Sequence, residues 1–208
     1  MSVKPPLKAS VEELSRMLDV IENEILPLTK KSVEEIGNKV FGAAVLEGST
    51  LKTLCAGTNH EIECPLYHGE VFVIDQWAKS TDPGRRGEIA SKSIFLSTHE
   101  PCCMCISSIV WAGFEKVFYL FSYDTTAEQG IPHDLDIMHE LWGVQSYQRC
   151  NKFCSTACII DLINSVSNST MRKELEQTVQ RLTDIYAKIS EKYHKNKNIN
   201  QQNSLPFS

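Results

Sequence analysis

From Ser10 onward, Val11, Leu14, Met17, Leu18, Ile21 and Ile25 recur at helical spacing behind a serine that can cap the helix, with Glu13 three residues later to complete a capping box. Pro27 is expected to split this helix before it reaches Gly37, because proline lacks the N–H that an interior turn requires. Two apolar stretches, Val40 to Leu46 and Leu51 to Ala56, flank the turn residues Glu47-Gly48-Ser49-Thr50 and read as a β-hairpin. Val71, Ile74 and Trp77, three apart, predict a helix from His68 to Ala78, and Asp82 to Gly87 is a loop by its Pro and Gly content. A short strand from Ser93 to Thr98, a helix from Cys102 to Ala112 stopped by Gly113, and a strand from Lys116 to Phe121 then follow in order. Strand, helix, strand implies a crossover unit, hence an α/β sheet with parallel pairs and helices on its faces. Beyond it, helices are predicted at His133 to Trp142, Cys158 to Val166 and Met171 to Tyr193, the last with Leu175, Val179, Leu182, Ile185, Tyr186 and Ile189 on one face.

This pattern reads as one domain over 10–193, with a core of about 38–145 and a helical extension of about 146–193. The tail, 194–208, carries Asn, Gln, Ser and Lys without apolar periodicity and is expected to be disordered. The chain has 208 residues, of which 42% are hydrophobic and 23% charged, enough for a sizeable core. No run approaches the roughly 18 apolar residues that span a bilayer, and the N-terminus lacks a signal peptide's apolar segment, so no membrane partner and a cytoplasmic address are expected. The net charge of −5, with no basic block beyond Lys30-Lys31 and Arg85-Arg86, does not favour nucleic acid; a small molecule is the better expectation. Eight cysteines in a reducing compartment point to metal binding, catalysis or plain burial rather than to disulfides.

The chemistry concentrates in His68-Gly69-Glu70 and Pro101-Cys102-Cys103-Met104-Cys105. Alone, the C-x-x-C pair fits a redox dithiol or half of a zinc knuckle equally well. Together the two fragments have the H-x-E and P-C-x-x-C form of zinc deaminases. Cys102 and Cys105, three apart in a first helical turn, can reach one Zn²⁺, and His68 supplies a third ligand, leaving the fourth tetrahedral position open as in catalytic sites. Glu70 does not share the face of His68, so it is a poor fourth ligand and a good proton shuttle. It takes a proton from water held at the open position and returns protons to a ring nitrogen and the departing ammonia. A dithiol redox protein would leave His68 and Glu70 unexplained. Cys103 reads as a packing thiol, and Cys150, Cys154 and Cys158, four apart, as buried residues on one helix rather than a second metal stripe.

These residues resemble the cytidine and deoxycytidylate deaminase-like superfamily over about Val40 to Trp142. Glu100 to Cys105 is similar to the E-P-C-x-M-C form shared by guanine deaminases and tRNA adenosine deaminases, and Phe41-Gly42-Ala43 to their F-G-A first strand. Val110-Trp111-Ala112, Lys116 to Tyr119 and Asp124 to Gly130 are most similar to the guanine deaminase branch. The resemblance implies a three-layer α/β/α fold with a mixed five-stranded sheet and a dimer or larger assembly. It also implies ring binding by Asn59, whose other reading is a turn residue, guanine binding by Asp124, and a Gly69 N–H facing the ring's carbonyl. Two departures stand out: Cys64-Pro65-Leu66-Tyr67 replaces the usual D-P-T-A, and Gly69 stands where Ala or Val is usual. The expected activity is deamination of a purine base or nucleoside, guanine-like first. The alternatives are tRNA adenosine, cytosine or cytidine as substrate, or a silent zinc-binding subunit of an RNA deaminase.

Overall fold

The computed structural model describes residues 2–131 and 133–197. Helix α1 (Val11–Val20) starts at the expected capping box, where the Glu13 N–H donates to Ser10 Oγ and the Ser10 N–H to the Glu13 carboxylate. Pro27 does not break the helical run. A π turn at Ile21–Ile25 leads into α2 (Leu26–Lys31), with Pro27 at its start, and a second π turn at Ser32–Ile36 carries the chain to Gly37. The wider turn before the proline carries the backbone past its missing donor.

Strands β1 (Gly42–Leu46) and β2 (Thr53–Thr58) form the expected antiparallel hairpin. Helix α3 (Gly69–Ser80) and helix α4 (Arg86–Lys92) lead to β3 (Ile94–His99), which pairs antiparallel with β1. Helix α5 (Cys103–Trp111) then crosses to β4 (Lys116–Phe121), parallel to β3 as the crossover predicts. Helices α6 (Tyr123–Glu128) and α7 (His133–Trp142) follow.

The segment expected to be a helical extension instead supplies the fifth strand, β5 (Ser155–Cys158), parallel to β4. Cys150, Cys154 and Cys158 are therefore not a helical stripe: Cys150 makes an isolated bridge, Cys154 lies in the loop and Cys158 ends β5. Helix α8 (Ile159–Asn164) and helix α9 (Ser169–Lys197) complete the described chain. Helix α9 runs past 193 into the expected tail, whose remainder lies outside the described residues.

The sheet order is β2-β1-β3-β4-β5, a mixed five-stranded sheet between helical layers. Strand alternation sorts its side chains onto two faces. Ala43, Val45, Phe95 and Val117 pack with Trp77 of α3, Ile106 and Ile109 of α5, and Phe114. Ala44, Leu46, Leu96, Phe118 and Leu120 pack on the other face with Leu14, Met17 and Leu18 of α1, Ile163 of α8, and Leu175, Leu182 and Tyr186 of α9. The apolar stripe of α9 is thus spent on the core. Among the described residues no helix is long and apolar enough to cross a membrane.

Candidate functional site

Helices α3 and α5 present their N-termini to one another, and the residue capping each start carries a ligand atom. His68 and Cys102 are the N-cap residues of α3 and α5, and Cys105 lies one turn into α5. Pro101 accordingly precedes the cap rather than opening the helix. The Cys102 Sγ lies 3.6 Å from His68 Nδ1, and the ligand atoms of His68, Cys102 and Cys105 all lie within 4.8 Å of one another.

These residues fit a zinc ion. Ligands at about 2.0–2.1 Å (nitrogen) and 2.3 Å (sulfur) on tetrahedral directions stand about 3.6 Å apart. Burial, followed by the charge of Lys39, holds the His68 imidazole down at about 4, so it is neutral and able to ligate at physiological pH. Burial, with the nearby Glu70 carboxylate adding to it, pushes the Cys105 thiol up to about 12. A divalent cation would offset the second effect, because it stabilises the thiolate that burial otherwise disfavours.

Glu70 sits in the first turn of α3 and is only 3% exposed. Ser97 Oγ donates to its Oε1 at 2.9 Å and Cys105 Sγ to its Oε2 at 3.4 Å. Burial raises its carboxyl above the usual range, as suits a group that must both take and return a proton. Gly69 explains one departure from the family pattern: a Cβ there would lie 2.8 Å from Gly42 Cα and from the Phe41 carbonyl oxygen, so Gly lets α3 start directly on β1.

Asn59, 0% exposed, follows β2. Its N–H donates to the Phe41 carbonyl at 2.8 Å and its Oδ1 accepts the Glu61 N–H at 2.9 Å, while its Nδ2 has no partner among the described residues. The turn-residue reading holds for Oδ1, while the amide nitrogen is left over for another partner. Tyr67, the other departure, sets its ring edge-on to Phe72, 5.6 Å between centroids, and Phe72 stacks on His60 at 3.9 Å.

The two candidate acids differ. Asp124 is exposed in the first turn of α6. Asp134, in the first turn of α7, is half-buried and pushed up to about 7 by burial and then by the charges of Glu70 and Cys103. Of the two, Asp134 is the one set among the charges of the cluster. Sequence analysis did not single out Asp134, because residue spacing does not say which acids become buried. It also missed Ser97, which is legible only from the register of β3, and the buried pair of Lys39 Nζ and Glu61 Oε2 at 3.2 Å.

With this geometry in place, the chain can be compared with known proteins. Residues 21–121 match the family model of the cytidine and deoxycytidylate deaminase zinc-binding region. The match spans just under half of this chain and contains His68, Glu70, Cys102 and Cys105, and the region it describes is a zinc-binding one. The solved structures similar in fold include a guanine deaminase from Nitrosomonas europaea, with 15% identity, a TM-score of 0.50 and coverage of 86% of this chain and 88% of that one. A guanine deaminase from Bacillus subtilis has 23% identity and a TM-score of 0.50 over 64% of this chain and 83% of that one. A mutant of the protein NE0047 in complex with 8-azaguanine has 16% identity and a TM-score of 0.53 over 92% of this chain and 88% of that one. At these identities the likeness establishes the cytidine deaminase-like fold. The search of curated proteins found no match.

Proposed function

We propose that the chain is a zinc-dependent hydrolytic deaminase of a purine base or nucleoside, with a guanine-like substrate first. The observation that carries the reading is Glu70: a buried carboxyl fixed by Ser97 and Cys105 beside three ligand atoms, where a purely structural zinc site has no use for it. When bound, Zn²⁺ supplies Lewis acidity at an open fourth position. Glu70 accepts the proton of the attacking water, and the water's oxygen adds to the amino-bearing ring carbon. Glu70 then delivers protons to the ring nitrogen and to the amine, which leaves as ammonia. Asn59 and Gly69 bind the ring, and Asp134 takes the role expected of Asp124, pairing with a ring N–H or an exocyclic amine. Guanine heads the order because similar folds include guanine deaminases.

A homodimer belongs to this reading. Trp111, 89% exposed at the end of α5, and Leu141 and Trp142, exposed at the end of α7, offer apolar surface for it. A cytoplasmic address goes with it. The test is ammonia release from guanine, guanosine, adenine, adenosine, cytosine and cytidine, with transfer RNA compared at two salt concentrations. Guanine or guanosine turnover with a nearly salt-independent KM is the expected result. Far better turnover of transfer RNA, falling steeply with salt, would overturn it in favour of the RNA reading. No turnover of any of them would favour the silent subunit.

A further inference from the structure

Of the two sulfurs, that of Cys102 is the less firmly held by its helix. Cys105 sits one turn inside α5, whereas Cys102 is the cap of that helix, with extended backbone (φ −62°, ψ 171°) and no hydrogen bond from its side chain to the helix start. Its position therefore follows from the path of Glu100-Pro101, the two residues that join it to the end of β3. Both are tied down. The Glu100 N–H donates to the Phe121 carbonyl at 2.7 Å, and the Tyr123 hydroxyl donates to the Pro101 carbonyl at 2.5 Å. The Glu100 carboxylate, its side chain 1% exposed, accepts the Tyr123 N–H at 3.4 Å.

The cation that meets this buried carboxylate comes from far along the chain. Arg149 Nη2 lies 3.2 Å from Glu100 Oε1 and donates to Oε2 at 3.3 Å. Arg149 is itself held: its carbonyl accepts the Thr156 N–H of β5 at 2.7 Å, and its guanidinium lies over the Tyr119 ring of β4, 5.7 Å from the centroid. A carboxylate withdrawn from water needs a partner, and losing the partner leaves an uncompensated buried charge that must shift or recruit water. A shift of Glu100 passes to Cys102 through one proline, whose fixed φ makes a stiff link.

We propose that Arg149 is a positioning residue for the zinc ligand Cys102: through the Glu100 carboxylate it fixes the segment that brings this sulfur to His68 and Cys105. Strand β5, which residue spacing did not foresee, thereby has a part in the chemistry, since it holds the arginine against the ligand segment. The inference rests on the zinc site of the deaminase reading and is indifferent to which ring is deaminated.

The test is zinc affinity, measured without substrate by competition with a chromophoric chelator, beside melting of the metal-free protein. Arg149→Met and Glu100→Gln are each expected to weaken zinc binding by about 10- to 100-fold, the usual effect of losing a group that orients a ligand. The Arg149→Met/Glu100→Gln double variant should bind no more weakly than the weaker single variant, because both substitutions break one link. Arg149→Lys, which returns a cationic donor, should recover part of the loss. Leu182→Ala, a cavity on the far face of the sheet, should lower melting without weakening zinc binding, which separates positioning from stability. Wild-type zinc affinity in folded Arg149→Met, or in Glu100→Gln should the stranded carboxylate unfold the first variant, would overturn the proposal. So would losses that add in the double variant, or a loss as large in Leu182→Ala. A wild type that binds no zinc would overturn the zinc site itself, and the role of Arg149 with it.

Discussion

His68 and His99 lie against the same phenylalanine. The Phe41 ring is 6.4 Å from one imidazole and meets the other edge-on at 4.9 Å. Both imidazoles are held down at about 4, first by burial. Their surroundings then part. His68 faces the sulfurs of Cys102 and Cys105, the second of which donates to the Glu70 carboxyl. His99, at the end of β3, has Nδ1 on Thr98 Oγ1 and Nε2 on Gln129 Oε1, both at 3.0 Å, with Phe121 and Tyr186 around its ring. Burial makes both neutral and able to ligate, but only the first meets other ligand atoms. The second has both nitrogens committed and serves as a polar pin between β3 and the turn ahead of α7. A depressed imidazole therefore does not identify a site; the identity of its neighbours does.

The sharpest way to break this comparison is to remove the chemistry from one side. His68→Ala, Cys102→Ser and Cys105→Ser should lose zinc by metal analysis, whereas His99→Gln should keep it. Full zinc in His68→Ala would erase the distinction between the two histidines. Glu70→Gln should retain fold and zinc and lose about 1,000-fold or more in kcat, because an amide cannot carry the proton. Activity near the wild-type level in that variant would reject the proton-shuttle role.

A smaller effect distinguishes the two acids. Asp134→Asn should lower kcat/KM by about 10- to 100-fold, the range of a lost hydrogen bond to a charged group, whereas Asp124→Asn should change it less than about twofold. The reverse order would restore the sequence-based choice.

That choice shows where the sequence was legible. Residue spacing revealed His68, Glu70, Cys102 and Cys105 because short local segments carry them to helix starts that any α/β crossover would bring together. The hairpin and the long helices were legible for the same reason, as apolar periodicity is local. Strand β5 was not, because Ser155-Thr156-Ala157-Cys158 has no apolar run and becomes a strand only by lying beside β4. The run through Pro27 was hidden because a π turn supplies what the proline removes. Asp134 and the Lys39–Glu61 pair were hidden because facing inward is a property of packing. The close approach of Gly69 to Gly42 likewise exists only once α3 rests on β1.

The smallest expected effect concerns His99 and the acid side of stability. Its folded-state pKa, about 4, lies below the ordinary histidine value of 6.5 that applies to the unfolded chain. Between these values the unfolded chain binds a proton that the folded protein does not, so stability falls as pH falls. The stabilisation from keeping this imidazole neutral is whole above about pH 6.5 and is lost progressively toward pH 4, at up to about 1.4 kcal/mol per pH unit. Zinc-loaded wild type and His99→Gln should therefore be compared by urea denaturation at pH 7.5 and pH 5.5. His99→Gln will be less stable at both, having lost the Thr98 and Gln129 contacts in part. The informative quantity is the change in that difference with pH, because Asp134, His68 and every other shared group cancel in it. The wild type should lose about 1 kcal/mol more than the variant between the two pH values. An equal loss in both proteins would mean that His99 takes up its proton in the folded state as readily as in the unfolded chain, and that the Thr98 and Gln129 contacts do not exclude the charge.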